Sequence, residues 1–175
     1  CGPLGDEHED RHTGGVRDWL VAGGLLLGGE GVLLVQNRRR NGSLDWSTPG
    51  GVIDDGETLL EGLTREVSEE TGLVVAAWPT LAYCVEVDFV DREMTLRVES
   101  HVAGPWTGEL VVDDPDGIVV DVGFVEVDQA VERVGSGPRW VAEPLTAWLH
   151  GQGQGQTFRY VARGADPSTL TVDRL

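Results

Sequence analysis

Lysine is absent from this 175-residue chain: its thirteen basic residues are all arginine, set against thirty aspartates and glutamates for a formal net charge of -17. That balance argues against nonspecific binding to nucleic acid, whose phosphates it would repel. An anionic small substrate would be attracted only where a metal ion or arginine neutralises the site locally. The arginine bias is read as genomic base composition more than function, although arginine is also the better bidentate phosphate ligand. Cysteine is nearly absent. Cys1 opens Cys1-Gly2-Pro3-Leu4-Gly5, read as a protease scar and set aside, and Cys84 stands in the apolar run Leu81 to Val87, read as a buried strand thiol. With no disulfide framework, the expected compartment is a reducing cytoplasm. No secretory signal is recognised. Long apolar runs are missing too: Val21 to Leu27 is too short and too glycine-broken to span a membrane, so no membrane partner is expected. The length and the 40% hydrophobic content suit one ordinary domain with a proper core.

What the chain does have is concentrated in residues 51–73, from Gly51-Val52-Ile53-Asp54-Asp55-Gly56-Glu57 to Arg65-Glu66-Val67-Ser68-Glu69-Glu70-Thr71-Gly72-Leu73. The spacing predicts a helix from Thr58 to Thr71, with Leu60, Leu63 and Val67 towards the core. Thr58 and Glu61 fit a capping box, and Gly72 stands where a left-handed C-terminal residue is wanted. Glu66, Glu69 and Glu70, at i, i+3 and i+4, share one face. Three adjacent carboxylates repel one another, so something cationic must offset them. Hard oxygen ligands suit magnesium or manganese. Gly62 keeps side-chain bulk off this face, and Gly50-Gly51 after Pro49 form a permissive loop that can bring a carbonyl oxygen to the metal.

Taken together, Gly, five residues, Glu, seven residues, Arg-Glu, an aliphatic, any residue, Glu-Glu, any residue, Gly and an aliphatic resemble the box of the Nudix hydrolase family at every defining position. The resemblance implies a Nudix-type α/β/α sandwich with a mixed β-sheet, over about residues 16 to 150. It implies cleavage of a diphosphate linkage with a divalent cofactor, Mg2+ or Mn2+, on the box helix. Transferred residue by residue, Glu66 and Glu70 become metal ligands, with Glu69 a further ligand or the group that polarises water, and the Gly50 carbonyl beside them. Arg65 is expected to pair with Glu57 and hold the loop to the helix. The general base stays open between Glu66 or Glu69 and the later Asp113, Asp114 and Asp116, which otherwise form a turn around Pro115.

Along the rest of the chain, Arg17 to Leu27 and Gly31 to Gln36 are expected to form a hairpin across Gly28-Gly29-Glu30. Leu73 to Val90 and Arg92 to Ala103 read as two long strands, and Gly104 to Gly117 as an acidic loop. Ile118 to Val127 reads as a strand, and Asp128 to Val134 and Pro144 to His150 as helices. Three units follow: residues 1–15 as a tag remnant, 16–150 as the hydrolase domain, and 151–175 as a tail. In that tail Gly151 to Gln156 reads as a linker without packing value, followed by strand-like alternation from Thr157. The tail strand would join its own sheet or a partner's, and pairing within a homodimer is favoured.

Substrate identity lies outside the box. Arg38, Arg39 and Arg40 either grip a distal phosphate or form a solvated turn. Trp46 either stacks on a base or packs under the loop. His101 and His150 are read as structural. The proline and tyrosine that would mark ADP-ribose or dinucleoside polyphosphate branches are missing, with Phe89, Val90 and Asp91 in that stretch. That leans the expectation to a nucleotide-type small molecule, a nucleoside triphosphate in particular. ADP-ribose or nucleotide-sugar hydrolysis, or a non-catalytic nucleotide-sensing module, are the alternatives.

Overall fold

The computed structural model describes residues 17–29, 31–166 and 169–175; the tag-remnant reading of residues 1–15 lies outside them. Among the described residues no helix is long and apolar enough to cross a membrane.

The largest sheet follows from five stretches of alternation plus a short loop strand. It comprises β1 (Arg17–Leu25), β5 (Gly50–Val52), β7 (Thr80–Phe89), β8 (Met94–Val102), β11 (Thr157–Arg163) and β12 (Thr171–Arg174), in the order β12-β11-β7-β8-β1-β5. It is mixed: β1 runs parallel to β8, and β11 parallel to β7, while the other neighbours are antiparallel. A second sheet joins β2 (Leu27–Gly28), β3 (Gly31–Arg38), β4 (Leu44–Ser47) and β10 (Val119–Val125), and β6 (Leu73–Val75) pairs with β9 (Trp106–Gly108). Successive residues point to opposite faces. Leu33 and Leu26 accordingly pack in one core cluster with Leu63 and Val67 of helix α1 (Leu59–Thr71). Leu25, Val32 and Leu34 pack in the other, with Ala130 and Val134 of α2 (Val127–Gly135) and Leu145 of α3 (Arg139–Leu149). This is the expected α/β/α layering.

Several local expectations change. The glycine turn pairs only Leu27 and Gly28 with β3; β1 leaves for the other sheet, where nine residues match β8 in parallel. The strand read from Leu73 to Val90 is two, broken where Pro79 has no N–H to donate and where Trp78 folds into the core. The loop read from Gly104 contains β9. Pro144 lies inside α3 rather than opening it. Cys84 is buried in β7, as its apolar run suggested.

Helix α1 forms where its caps require. Thr58 and Glu61 make both reciprocal capping contacts, and Gly72 closes the helix at φ 75° with its N–H on the Ser68 carbonyl. Its core face is the row Leu59, Leu63, Val67 and Thr71; Leu60, expected inward, is 38% exposed. Thr58→Ala is expected to lower stability by about 1 kcal/mol, measured as the urea midpoint, with no change in slope. An unaltered midpoint would show that the cap contributes nothing.

The tail differs most. Gly151–Gln156 is a packed turn, not a free linker: Gln154 accepts from Trp148 Nε1 (2.8 Å) and donates to the Leu81 carbonyl (2.8 Å), and the Gly155 N–H bonds Ala82. The following strand, β11, lies on β7 of its own chain with Phe158, Tyr160 and Ala162 buried. Of the two placements expected for this strand, its own sheet or a partner's, it takes the first, with β7 on one side and β12 on the other.

Candidate active site

The loop 50–57 and helix α1 are joined by the residues of the box itself. Glu70, 9% exposed, accepts the Gly50 N–H at 2.8 Å, and Glu57 accepts the Asp54 N–H at 2.8 Å. Arg65 stands at the centre of the cluster. It donates to both oxygens of Glu57 (3.2 and 2.6 Å), to Glu66 Oε1 (2.8 Å) and to Glu69 Oε2 (3.2 Å). A Cβ on Gly51 would lie 2.5 Å from the Glu66 carboxylate, and one on Gly62 would lie 2.7 Å from Glu57 Oε1 and from Ile53. Bare backbone at both positions is what lets loop and helix close.

Electrostatics follow from this packing. The hydrogen bonds from Arg65 hold the Glu57 carboxyl below its usual range, and Glu57 and Glu66 in turn raise the Arg65 guanidinium. Burial raises Glu66, opposed by Arg65. Glu70 is pushed up to about 8, by burial first and then by repulsion from Glu66 and Asp114, against the Gly50 N–H.

Of these carboxylates Glu66 and Glu70 open into a cavity of about 540 Å3, whereas Glu57 and Glu69 do not line it. One end holds Glu66, Glu70, Asp114 and Asp116; the other, between sheet and α3, holds Tyr83, Val85, Leu96, Val98, Trp140 and Leu145. Two polar groups also line it: Asn37, whose amide donates to Ser47 Oγ (2.9 Å), and Ser100, bonded to the Tyr83 hydroxyl. Burial pushes that hydroxyl up to about 12.

Of the residues singled out beyond the box, the fold brings only some to this cavity. Arg39 lines it, held by Asp45 through bonds of 2.6 and 2.8 Å, whereas Arg38 and Arg40 are exposed and away from it. Trp46 does not line it: its ring packs on the core with Arg133 over it at 4.6 Å. Asp114 accepts from the N–H groups of Asp116, Ile118 and Val119, so it forms the turn and also lines the cavity. Tyr83, Ser100 and Trp140 were not foreseen. No motif carries them, and they stand on strands and a helix that are far apart in the sequence.

Whether the acids suit a divalent cation can be tested on the geometry. Among the described residues no three acidic, histidine or cysteine side chains stand grouped to hold a metal ion. Arg65 engages Glu66 and Glu69, and Gly50 engages Glu70. Glu66 and Glu70 nonetheless offer hard oxygen donors of the kind a divalent cation takes, Glu66 beside Arg65 and Glu70 on the Gly50 N–H.

The model of the NUDIX domain family matches residues 18–149. No curated protein matches the chain. Among solved structures it is similar to a mutator MutT protein from Bacillus halodurans (22% identity, 89% of this chain and 97% of that one, TM-score 0.62). A MutT protein from Methanosarcina mazei Go1 is also similar (19% identity, 78% and 96%, TM-score 0.63). So is a protein titled ADP-ribose pyrophosphatase from Streptococcus suis (20% identity, 79% and 98%, TM-score 0.50). At these identities the structures speak for the fold, and the domain match over most of the chain speaks for descent: the protein belongs to the Nudix hydrolase family.

Proposed function

We propose that this hydrolase cleaves the diphosphate linkage of a nucleoside diphosphate joined to another moiety, a nucleoside triphosphate first among them, with Mg2+ or Mn2+. The observation that carries this reading is the two-ended cavity, acidic at the box and apolar and aromatic at α3. A phosphate chain bridged by a cation matches one end and a flat base the other. Glu66 and Glu70 would hold the cation with Glu69 and the Gly50 carbonyl beside them. When bound, the cation supplies charge neutralisation on the nonbridging oxygens. Arg65 would first have to yield part of its hold on Glu66 and Glu69, while Glu57 keeps it tied to the loop. Phosphoryl chemistry of this kind needs positioning more than covalent steps, and the burial of Glu70 and the Arg65 network supply it. For the general base, Glu66 and Glu69 stay ahead of Asp114, whose oxygens already serve the turn.

The test is a screen of nucleoside triphosphates, ADP-ribose and nucleotide sugars with magnesium or manganese, reading released phosphate or pyrophosphate. ADP-ribose as the best substrate would shift the reading to the activity named for the Streptococcus suis neighbour, and a nucleotide sugar to the alternative expected from the sequence. Binding without hydrolysis would favour a sensing module.

Arg39 alone is expected to carry the effect assigned to the three-arginine run, since it reaches the cavity and its neighbours do not. Arg39→Ala should raise KM about tenfold, with turnover within about twofold, because a remote phosphate contact contributes mainly uniform binding. If Arg38→Ala or Arg40→Ala raises KM as much, the run acts as a diffuse field instead.

A further inference from the structure

We infer that the C-terminal segment, which lies beyond the family match to residues 18–149, positions the cavity wall facing the substrate's base and so tunes which base is accepted. The inference rests on the proposed reading of the apolar end as the base compartment.

Helix α3 is built weak where it matters. Pro144 has no N–H to give the carbonyl four residues earlier, that of Trp140, and its ring crowds that turn. Trp140 is one of the cavity's aromatic residues. The tail supplies replacement ties on both sides of this turn. Tyr160 of β11 donates its hydroxyl to Glu143 Oε2 at 3.0 Å. Glu143 Oε1 accepts from Arg139 Nε at 2.7 Å, and Arg139 Nη1 donates to the Val172 carbonyl of β12 at 2.7 Å. The helix turn bearing Trp140 is thus bonded at its first residue and at the residue before the proline, each time to the tail.

The tail also backs the opposite wall. Phe158 of β11 meets Tyr83 edge to face at 6.0 Å, and Phe89, paired with Ala162 of β11, meets Trp140 edge to face at 5.4 Å. Tyr83 and Trp140 are both cavity residues. None of the tail residues touches the cavity, so they are positioning residues, acting through α3 and β7. A base bound between Tyr83 and Trp140 would read their separation, whereas the acidic end, built on α1 and the loop 50–57, is tied by Arg65 and does not depend on the tail.

The test compares the two ends of the cavity. KM and kcat are measured on the best substrate of the screen, and the inhibition constant of tripolyphosphate, which has a phosphate chain and no base, reports the acidic end alone. Tyr160→Phe removes only a hydroxyl and should raise KM about fivefold, the worth of one ordinary hydrogen bond, with kcat and the tripolyphosphate constant unchanged. Glu143→Leu, which loses the same bond and the pairs to Arg139 and Arg174 besides, should raise KM at least as much, and adding Tyr160→Phe to it should change nothing further, since their shared contact is already gone. Arg163→Gln, which breaks an exposed ion pair to Asp173 in the same two strands, should change nothing. KM unaffected by Tyr160→Phe would overturn the inference, as would a parallel loss of substrate and tripolyphosphate binding, which would signal general loosening. A wild-type enzyme that hydrolyses no compound containing a base would remove the functional reading and the inference with it, an outcome visible before any variant is made.

Discussion

Glu70→Gln is expected to abolish catalysis while leaving the fold intact. Glutamine has the shape of glutamate and can keep the Gly50 N–H on its amide oxygen, so the loop stays closed on α1. What it removes is the ability to become a carboxylate when a cation binds, for burial has pushed this carboxyl up to about 8. A hard-cation site deprived of one charged ligand binds metal weakly and misplaces the attacking water. Turnover at saturating magnesium should fall by about a thousandfold or more, in the range seen when a metal or its electrostatic partner is lost. Thermal stability without metal should change little, because at neutral pH the buried side chain is largely uncharged in both forms. Retention of more than about a tenth of wild-type turnover would sink the ligand assignment; a collapse in melting temperature would mean that Glu70 serves structure first.

Truncation after His150 is expected to unfold the protein rather than convert a dimer to a monomer. Phe158, Tyr160 and Ala162 are at most 3% exposed and belong to the same core cluster as Leu25, Val85 and Leu145. Losing two buried aromatics costs about 3 to 5 kcal/mol each, against a typical domain stability of about 5 to 15 kcal/mol. The truncation also strips β7 of its parallel neighbour along six paired residues and leaves an unpaired edge prone to aggregation. The expected products are insoluble chain or a species without near-ultraviolet circular dichroism. A soluble truncated monomer with the melting temperature of the full chain would show that residues 151–175 are a dispensable appendage.

The box was legible because its logic is local. The Thr58 cap, the Gly72 terminus and the shared face of Glu66, Glu69 and Glu70 all lie within one helix, and helix geometry maps sequence spacing directly onto space. Gly51 and Gly62 could be assigned to loop closure for the same reason. Leu60 was misplaced because two adjacent leucines, Leu59 and Leu60, compete for one apolar row, and only packing against β1 and β6 selects Leu59. Arg65 was expected to pair with Glu57, but not to hold Glu66 and Glu69 as well, since its reach along the helix depends on side-chain conformation.

The amino-acid sequence by itself determined the family chemistry: an acidic, cation-seeking helix with its loop, written in spacings of three and four residues. Only the tertiary structure decided which side chains line the cavity together with the box. Tyr83, Ser100 and Trp140 come from two strands and a helix, and meet only once β7 pairs with β8 and α3 packs across β7 and β11. The contact between Arg159 and Glu86, 73 residues apart, belongs to the same long-range pairing that holds β11 in place. A glycine-glutamine run looks like a free linker until Gln154 finds Trp148 and Leu81. Such pairings are set by which surfaces remain to be buried after the local elements have formed, and no local spacing encodes that choice.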